Sequence, residues 1–158
     1  MILRAAIGAD DDPVLCSAAR QLIHDRGPLQ LSVSLAALGE LVATLAKDAG
    51  AAEFSARMDM LHKHIREGRL LIYGLGDRDR KAAELVVSLM ERDGLLDPTD
   101  AVIVACMLTD EEADLLYTTD LKVLTSKVIA VEARSLGKTL RNLEKQRRRR
   151  RGKRNPEN

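Results

Sequence analysis

The sequence predicts an α/β domain built around a short, mostly parallel β-sheet that helices cover on both faces. Short apolar segments with strand-like patterning alternate with segments whose apolar residues recur at helical spacing, which is typical of parallel sheets. The 158 residues fit one domain. Because 46% of them are apolar, that domain is able to bury a core.

The first half of the chain contains three predicted helices and two predicted strands. Residues 9–13 form a turn, and a helix with one apolar face follows at residues 14–24 until Gly27 interrupts it. Residues 29–34 alternate apolar and polar side chains, as a half-buried strand does. An apolar helix, an amphipathic helix and an apolar strand between two glycines follow at residues 35–46, 53–66 and 70–75.

The second half continues the alternation of helices and strands. Asp79 begins a helix that ends near Arg92, with Gly94 shortly after it. Pro98 precedes a short, buried helix at residues 100–108. Short strands are predicted at residues 115–118 and 127–131, and Glu132 begins the last helix.

The net charge of +1 combines an acidic body with a basic C-terminal tail. Residues 138–158 hold ten basic and two acidic residues. Residues 1–137, which form the predicted domain, hold 15 basic and 22 acidic residues. The tail includes five consecutive arginines, so it is predicted to be disordered beyond the end of the last helix. It suits RNA phosphates because each bound cation releases counterions. A solubilising terminus or an arm for an acidic protein is the alternative.

The composition excludes several classes of protein. Only 2% of the residues are aromatic, too few for the base-stacking surfaces of RRM or OB domains. Cys16 and Cys106 lie in apolar segments, so we expect buried free thiols in a reducing cytoplasm. No apolar run reaches the ~18 residues of a membrane helix, and no signal peptide opens the chain. A cytoplasmic protein without a membrane partner is expected.

Three carboxylates differ from the solvated surface charges. Glu40 is the only charged residue between Arg26 and Lys47, Asp100 opens a helix whose next nine residues are uncharged, and Asp120 follows an apolar strand. Asp100 and Asp120 also suit an ordinary helix start and turn. In a parallel sheet all three lie near the carboxyl ends of strands, where ligands bind. Clustered carboxylates need a cation, and their hard oxygens select Mg²⁺ or Mn²⁺.

Several segments resemble, in the same order, the motifs of PIN-domain ribonucleases, which include VapC-like toxin ribonucleases. The family's glutamate-bearing strand and helix are similar to LSVSLAALGELVATL, which contains Glu40. Its Asp-Ala-x-Ile-x-Ala helix start is similar to LDPTDAVIVAC, with Asp100. Its strand ending in Thr-x-Asp is similar to LLYTTD, with Thr118 and Asp120 in those places, and its closing strand to VIAVEA. The resemblance covers roughly residues 1–135.

The resemblance implies a PIN-like three-layer sandwich and a Mg²⁺- or Mn²⁺-dependent endoribonuclease, often the toxin of a toxin–antitoxin pair. Glu40, Asp100 and Asp120 would hold one or two metal ions that activate a water for attack on an RNA phosphodiester. Thr118 would order the site by hydrogen bonding. The expected partners are RNA, an antitoxin-like protein and a second copy of the chain in a homodimer.

The chain departs from the family at its N terminus. The family begins with a central strand that ends in Asp-Thr-Asn, whose aspartate is a metal ligand, and this motif is not found here. Residues 2–23 instead resemble the helix, turn and helix that follow it. One alternative is that the chain's start lies a few residues too late, and another is that the domain keeps only RNA- or protein-binding roles. In a third alternative residues 2–9 form the strand and Asp10 or Asp11 is the ligand.

A response-regulator receiver is the rival fold. IGADDDPVL resembles its opening, where an acidic pair after the first strand binds Mg²⁺. That fold also needs a phosphorylatable aspartate after its third strand, followed by Met-Pro, and later a lysine after a strand. Residues 50–62 have a helical pattern instead, and residues 70–75 end without the Met-Pro context. The PIN-like interpretation is therefore favoured.

Overall fold

The computed structural model describes residues 2–25, 30–73 and 79–143. Helices and short strands alternate along this part of the chain, and the helices predominate. The helices are α1 (Ile2–Ala6), α2 (Pro13–His24), α3 (Leu35–Asp48), α4 (Ala51–Arg66), α5 (Asp79–Arg92), α6 (Pro98–Thr109), α7 (Leu121–Thr125) and α8 (Lys127–Ser135). The strands are β1 (Ser32–Ser34), β2 (Leu71–Tyr73), β3 (Leu115–Thr118) and β4 (Thr139–Asn142).

The four strands pair in parallel as two small sheets. β1 lies beside β2, with Val33 opposite Ile72, and β3 lies beside β4, with Leu116 opposite Leu140. The predicted α/β class with parallel strands is confirmed. One continuous sheet was expected, but the described residues provide no strand that pairs with both β1 and β3.

Side-chain caps determine where several helices begin. Asp12 accepts hydrogen bonds from Val14 N and Leu15 N at the start of α2, and Ser34 accepts one from Ala37 N at 3.1 Å at the start of α3. Such caps satisfy N–H groups that have no partner in the first helical turn. Because Ser34 also ends β1, the strand passes directly into the helix that carries Glu40.

A buried cluster around α6 holds much of the second half together. Val104, Ala105 and Leu108 of α6 pack with Leu89 of α5 and Ile129 of α8. α6 has few polar side chains after its first turn, which is typical of a helix that is enclosed by neighbours. Burial of each large aliphatic side chain stabilises the fold by roughly 1.5–3 kcal/mol. This packing fixes the position of the Asp100 end of α6.

Two further clusters hold the N-terminal helices against both sheets. Leu31, just before β1, and Tyr117, in β3, both pack against the cluster that α1 and α2 form. Ile7, after α1, is buried with Leu41 of α3 and Leu61 of α4. The α1–α2 layer therefore contacts both strand pairs.

The C-terminal elements differ from the prediction. Residues 127–131, expected to be a strand, begin helix α8, so the VIAVEA segment is helical. Ile129 and Ala133 are buried four residues apart while Val131 is exposed, which is a helical pattern that the β-branched residues conceal. The parallel partner of β3 is β4, at residues 139–142, where the sequence predicts the end of the last helix.

The N-terminal segment also differs from one of the alternatives. Residues 2–6 form α1, so a strand over residues 2–9 is wrong, and with it the strand that opens a receiver domain. The helix–turn–helix interpretation of residues 2–23 is confirmed. Gly8 has φ = +73°, a left-handed conformation that suits glycine and turns the chain between α1 and α2.

Other sequence predictions concern thiols, membranes and the tail. Cys16 and Cys106 are buried and free, as expected. No helix in the described ranges has the length and apolarity needed to cross a membrane. Helix α2 ends at His24, as predicted. Gly27 and the predicted tail beyond Leu143 lie outside the described residues.

Candidate functional site

The three predicted carboxylates come from separate elements that the core packs together. Glu40 is in the first half of α3, whose Leu41 and Leu45 are buried. Asp100 lies in the first turn of α6, and Asp120 lies directly before α7. α3 contacts α6, and α6 contacts β3. All three carboxylate-bearing residues are half-buried, so each is protected from solvent on one side.

The carboxylates are near enough for their charges to interact. Partial burial raises the pKa of Asp100 above its ordinary value, and the negative charges of Asp120, Asp97 and Glu40 raise it further, in that order. Lys122 opposes the shift. A carboxylate that loses hydration among like charges binds a proton or another cation more readily. The structure therefore brings Glu40, Asp100 and Asp120 into one electrostatic neighbourhood.

Asp120 is fixed by the loop between β3 and α7. Its Oδ1 accepts hydrogen bonds from Lys122 N at 2.7 Å and Val123 N at 3.2 Å. Its own backbone N–H donates to Thr118 Oγ1 at 3.0 Å. Thr118, predicted to order the site, thus contacts the backbone of Asp120. Both cap bonds use Oδ1, and within the described ranges no hydrogen bond engages Oδ2.

Glu40 keeps the isolation that the sequence predicts. Among the described residues, no hydrogen bond or ion pair engages its carboxylate. A half-buried carboxylate without a partner costs stability, because burial removes hydration that nothing replaces. Glu40 is therefore difficult to explain by the stability of α3 alone.

Asp97 and Lys122 also belong to this neighbourhood, and neither was predicted from the sequence. Asp97 caps α6, where it accepts a hydrogen bond from Thr99 N at 2.9 Å. Its position three residues before Asp100 was the available signal, since a carboxylate there shares the first turn with Asp100. Lys122 gave no signal, because α7 was not predicted and the lysine resembles an ordinary surface residue.

The described residues do not form a complete set of metal ligands. No three His, Cys, Asp or Glu side chains in the described ranges are placed to hold one metal ion. The donors are nevertheless of the type that Mg²⁺ and Mn²⁺ prefer, because carboxylate oxygens are hard ligands. The site is thus a negatively charged region that contains one carboxyl with a raised pKa, Asp100, and one nearby ammonium, that of Lys122.

Asp10 and Asp11 lie elsewhere. They line an open cavity of about 430 Å³ at the start of α2, together with Pro13, Cys16, Ser17 and Arg20. Asp10 Oδ1 accepts a hydrogen bond from Asp12 N at 3.0 Å. The lining of this cavity contains none of the three clustered acids, so nothing in its geometry places Asp10 or Asp11 with them.

The histidines form a different cluster. His64, near the end of α4, is buried with its Nδ1 unpartnered among the described residues. The ring of His24 stands edge-on to it at a centroid distance of 5.7 Å, and Arg69 contacts His24. The sequence shows no signal for this contact, because the two histidines are 40 residues apart.

Comparisons of the chain with protein-family models, with curated proteins and with solved structures found no match.

Proposed function

We propose that the chain is a metal-dependent endoribonuclease with a PIN-like fold, which hydrolyses RNA phosphodiester bonds. One observation supports this most: Glu40 and Asp120, far from Asp100 in sequence, lie near enough for their charges to raise its pKa. A helix-start role for Asp100 and a turn role for Asp120 do not explain why these charges interact. They also do not explain why the Glu40 carboxylate has no hydrogen-bond partner among the described residues. Clustered carboxylates that bind divalent cations are typical of phosphodiester hydrolysis.

Each residue has a distinct role in this proposal. Glu40, Asp100 and Asp120 would hold Mg²⁺ or Mn²⁺, although the described carboxylates are not placed as three ligands of one ion. The bound ion would supply Lewis-acid chemistry, that is, a more acidic water and stabilisation of the leaving oxygen. Thr118 keeps the Asp120 loop in place through its hydrogen bond to Asp120 N. Lys122 supplies a positive charge for an RNA phosphate.

A second candidate is a catalytically impaired PIN-like module that binds RNA or a protein. The incomplete ligand set among the described residues favours this candidate. A module of this kind needs the fold and the basic tail but no metal. The two candidates therefore differ in whether removal of a carboxylate changes RNA cleavage.

The proposed partners follow from the proposed reaction. RNA is the substrate, and the basic tail adds phosphate contacts. As a cytoplasmic toxin the chain acts as a homodimer and is inhibited by an antitoxin-like protein. The toxin role predicts that expression arrests growth and that co-expression of the antitoxin restores it. Growth that continues while the protein cleaves RNA contradicts the toxin role but not the nuclease.

The test is an RNA cleavage assay with Mn²⁺ or Mg²⁺ on the full chain and its variants. Asp100→Asn and Glu40→Gln keep the size of each side chain and remove its charge. We expect a loss of rate of about 100-fold or more, since several kcal/mol of transition-state stabilisation depend on the metal. Asp59→Asn is the matched control, because Asp59 is an exposed carboxylate on α4.

The outcomes separate the two candidates. Metal-dependent cleavage that Asp100→Asn and Glu40→Gln abolish, and Asp59→Asn does not, supports the nuclease. A chain lengthened to the preceding in-frame start codon is assayed in parallel. If neither the 158-residue chain nor the lengthened chain cleaves RNA, but both bind RNA without metal, the result supports the RNA-binding module and contradicts the nuclease. Equal cleavage by all variants identifies a contaminating nuclease and rejects the proposed site.

A further inference from the structure

We propose a second site, which binds an oxyanion of the phosphate type, between Arg20 of α2 and Arg57 of α4 at the Gly8 turn. It is separate from the carboxylates of the proposed nuclease and does not depend on that function. The ligand chemistry is a phosphate group, either free or within a nucleic-acid backbone. Two guanidinium groups and the turn between α1 and α2 form the site.

The turn brings the two guanidinium groups together. A Cβ atom at Gly8 would overlap Arg20 Nη2 and would lie 2.9 Å from Arg57 Nη1. The ends of both side chains therefore meet over the same backbone atom. Gly8, with φ = +73°, leaves the space that they occupy.

Backbone carbonyls around the turn orient the arginines. Arg57 Nη1 donates to Ile7 O at 2.9 Å, which ties α4 to the end of α1. A third arginine, Arg4, donates through Nε to Ala9 O at 2.7 Å and pairs with Asp48 at 3.6 Å. Arg57 is thus held in place before a ligand arrives, and preorganised donors bind with less loss of entropy.

The positive charge at this point is only partly neutralised. Arg57 pairs with Glu53 through Nη2 at 3.3 Å, but its Nε is buried without a hydrogen-bond partner among the described residues. Arg20 forms no hydrogen bond or ion pair with another described residue. Two adjacent guanidinium groups repel each other unless an anion lies between them. Their planar donors match the oxygens of a phosphate.

The neighbouring acids limit the strength of the site. Arg20 lines the cavity of about 430 Å³ with Ser17, Asp10 and Asp11. Asp10 is engaged by the N–H of Asp12, whereas Asp11 is exposed at the rim. Arg57 is not part of the cavity lining, so an anion that enters through the cavity meets Arg20 first and is repelled by Asp11. Affinity should therefore rise when Asp11 is neutralised, an effect opposite to that expected for a cation site.

The test is calorimetric titration of the full chain with inorganic phosphate and, separately, with a short oligouridylate that has no terminal phosphate. Arg20→Gln is the main variant, because Arg20 is exposed and its removal leaves the core intact. We expect it to weaken binding about tenfold, as for removal of one charge-assisted hydrogen bond. Asp11→Asn should strengthen binding. Arg66→Gln, an exposed arginine farther along α4, should leave it unchanged.

The two ligands distinguish the source of the phosphate. Binding of inorganic phosphate alone identifies a free phosphate group, and stronger binding of the oligouridylate identifies a nucleic-acid backbone. The proposal is overturned if neither ligand binds, or if Arg20→Gln binds like the unmodified chain while circular dichroism shows it folded. Equal weakening by Arg66→Gln also overturns it, since general surface charge then explains the binding.

Discussion

The helix start and the neighbouring side chains have opposite effects on the pKa of Asp100. A carboxylate in the first turn of α6 is stabilised by the positive end of the helix dipole, which lowers its pKa. The pKa of Asp100 is nevertheless raised, first by burial and then by the charges of Asp120, Asp97 and Glu40. An isolated helix-start aspartate would show the reverse shift. The side chains around Asp100, and not its place in the helix, therefore account for the direction of its pKa shift.

His64 should make stability depend on pH. Burial lowers the pKa of His64 below its usual 6.5, and His24 and Arg69 lower it further. The unfolded chain then binds a proton at a higher pH than the folded chain. The free energy of unfolding should fall as pH drops from about 6.5 through the folded pKa, by at most about 1.4 kcal/mol per pH unit.

The measurement is urea unfolding between pH 8 and pH 5 for the unmodified chain, His64→Gln and His62→Gln. His62 is an exposed neighbour on the same helix, so its variant should keep the pH dependence of the unmodified chain. His64→Gln should lose part of the slope between pH 6.5 and pH 5. An unaltered slope in His64→Gln would show that His64 is not the group that titrates.

A comparison of alanine substitutions at Gly8 and Gly137 separates the cost of crowding by Arg20 and Arg57 from the cost of backbone strain. Both have positive φ, +73° and +70°, but a Cβ at Gly137 meets nothing within 4 Å. Gly137→Ala should cost about 1–2 kcal/mol from the left-handed backbone alone. Gly8→Ala should cost up to about 1 kcal/mol more, because the guanidinium groups of Arg20 and Arg57 must both shift and the shift weakens the hydrogen bond from Arg57 to Ile7 O.

Thermal or urea unfolding of the two glycine variants checks this comparison. The difference between them matters more than either value, since the backbone contribution is common to both. Equal losses of stability would mean that Arg20 and Arg57 move away from the turn without cost. The close approach of the two guanidinium groups would then have no energetic consequence.

At the scale of elements, α8 shows where pattern recognition fails. Its Val128, Ile129 and Val131 suggest a strand, because β-branched residues favour strands. The helix forms because Ser126 caps it and because Ile129 and Ala133 meet the core on one face. Tertiary burial overrides an intrinsic preference of less than about 1 kcal/mol per residue.

Removal of the cap at Ser126 should therefore be measurable. Ser126 Oγ accepts a hydrogen bond from Ile129 N at 3.2 Å and donates to Asp93 Oδ2 after α5. Ser126→Ala should destabilise the fold by about 2 kcal/mol, since a cap contributes about 1 kcal/mol and a bond to a carboxylate a similar amount. Ser135→Ala, at the exposed end of α8, should change the free energy of unfolding by less than about 0.5 kcal/mol.

Urea unfolding of both serine variants provides the comparison. Hydrogen exchange of the amides of α8 gives a second readout, because helix and strand protect different N–H groups. If Ser126→Ala is as stable as Ser135→Ala, the cap contributes nothing to α8. The structural role assigned to Ser126 would then be wrong.

At the scale of the whole molecule, charge separates the basic C-terminal tail from the acidic domain. If the tail binds RNA, deletion of residues 145–158 should weaken binding and flatten its dependence on salt concentration. The deleted segment holds eight Lys and Arg residues and one Glu, whereas Glu144 stays in the shortened chain. The slope of log K against log salt should fall by roughly 0.7 for each phosphate of single-stranded RNA that the tail neutralises.

Filter binding or fluorescence anisotropy over a range of salt concentrations measures that slope. A full-length chain in which the basic residues at positions 145–158 are replaced by Gln serves as the matched control. Equal flattening by deletion and replacement assigns the effect to charge. An unchanged slope in both rejects the tail as an RNA-binding arm.

Local patterns along the chain were enough to predict the α/β class, most of the helices and the three carboxylates that stand out from the surface. These features depend on short-range periodicity and on the isolation of a charge, both of which are visible in the sequence. Strand β3 at residues 115–118 and helix α5 at residues 79–92 match their predictions for that reason.

Contacts between residues that are far apart in the sequence became clear only from the tertiary structure. The fold placed Glu40, Asp120 and Lys122 near enough to Asp100 for their charges to interact with it. It also paired β3 with β4 instead of residues 127–131 and divided the strands between two sheets. It also brought the guanidinium groups of Arg20 and Arg57 to the same side of Gly8. Such contacts depend on how separately formed helices pack, and packing is determined by burial across the whole core, which no single segment of the sequence encodes.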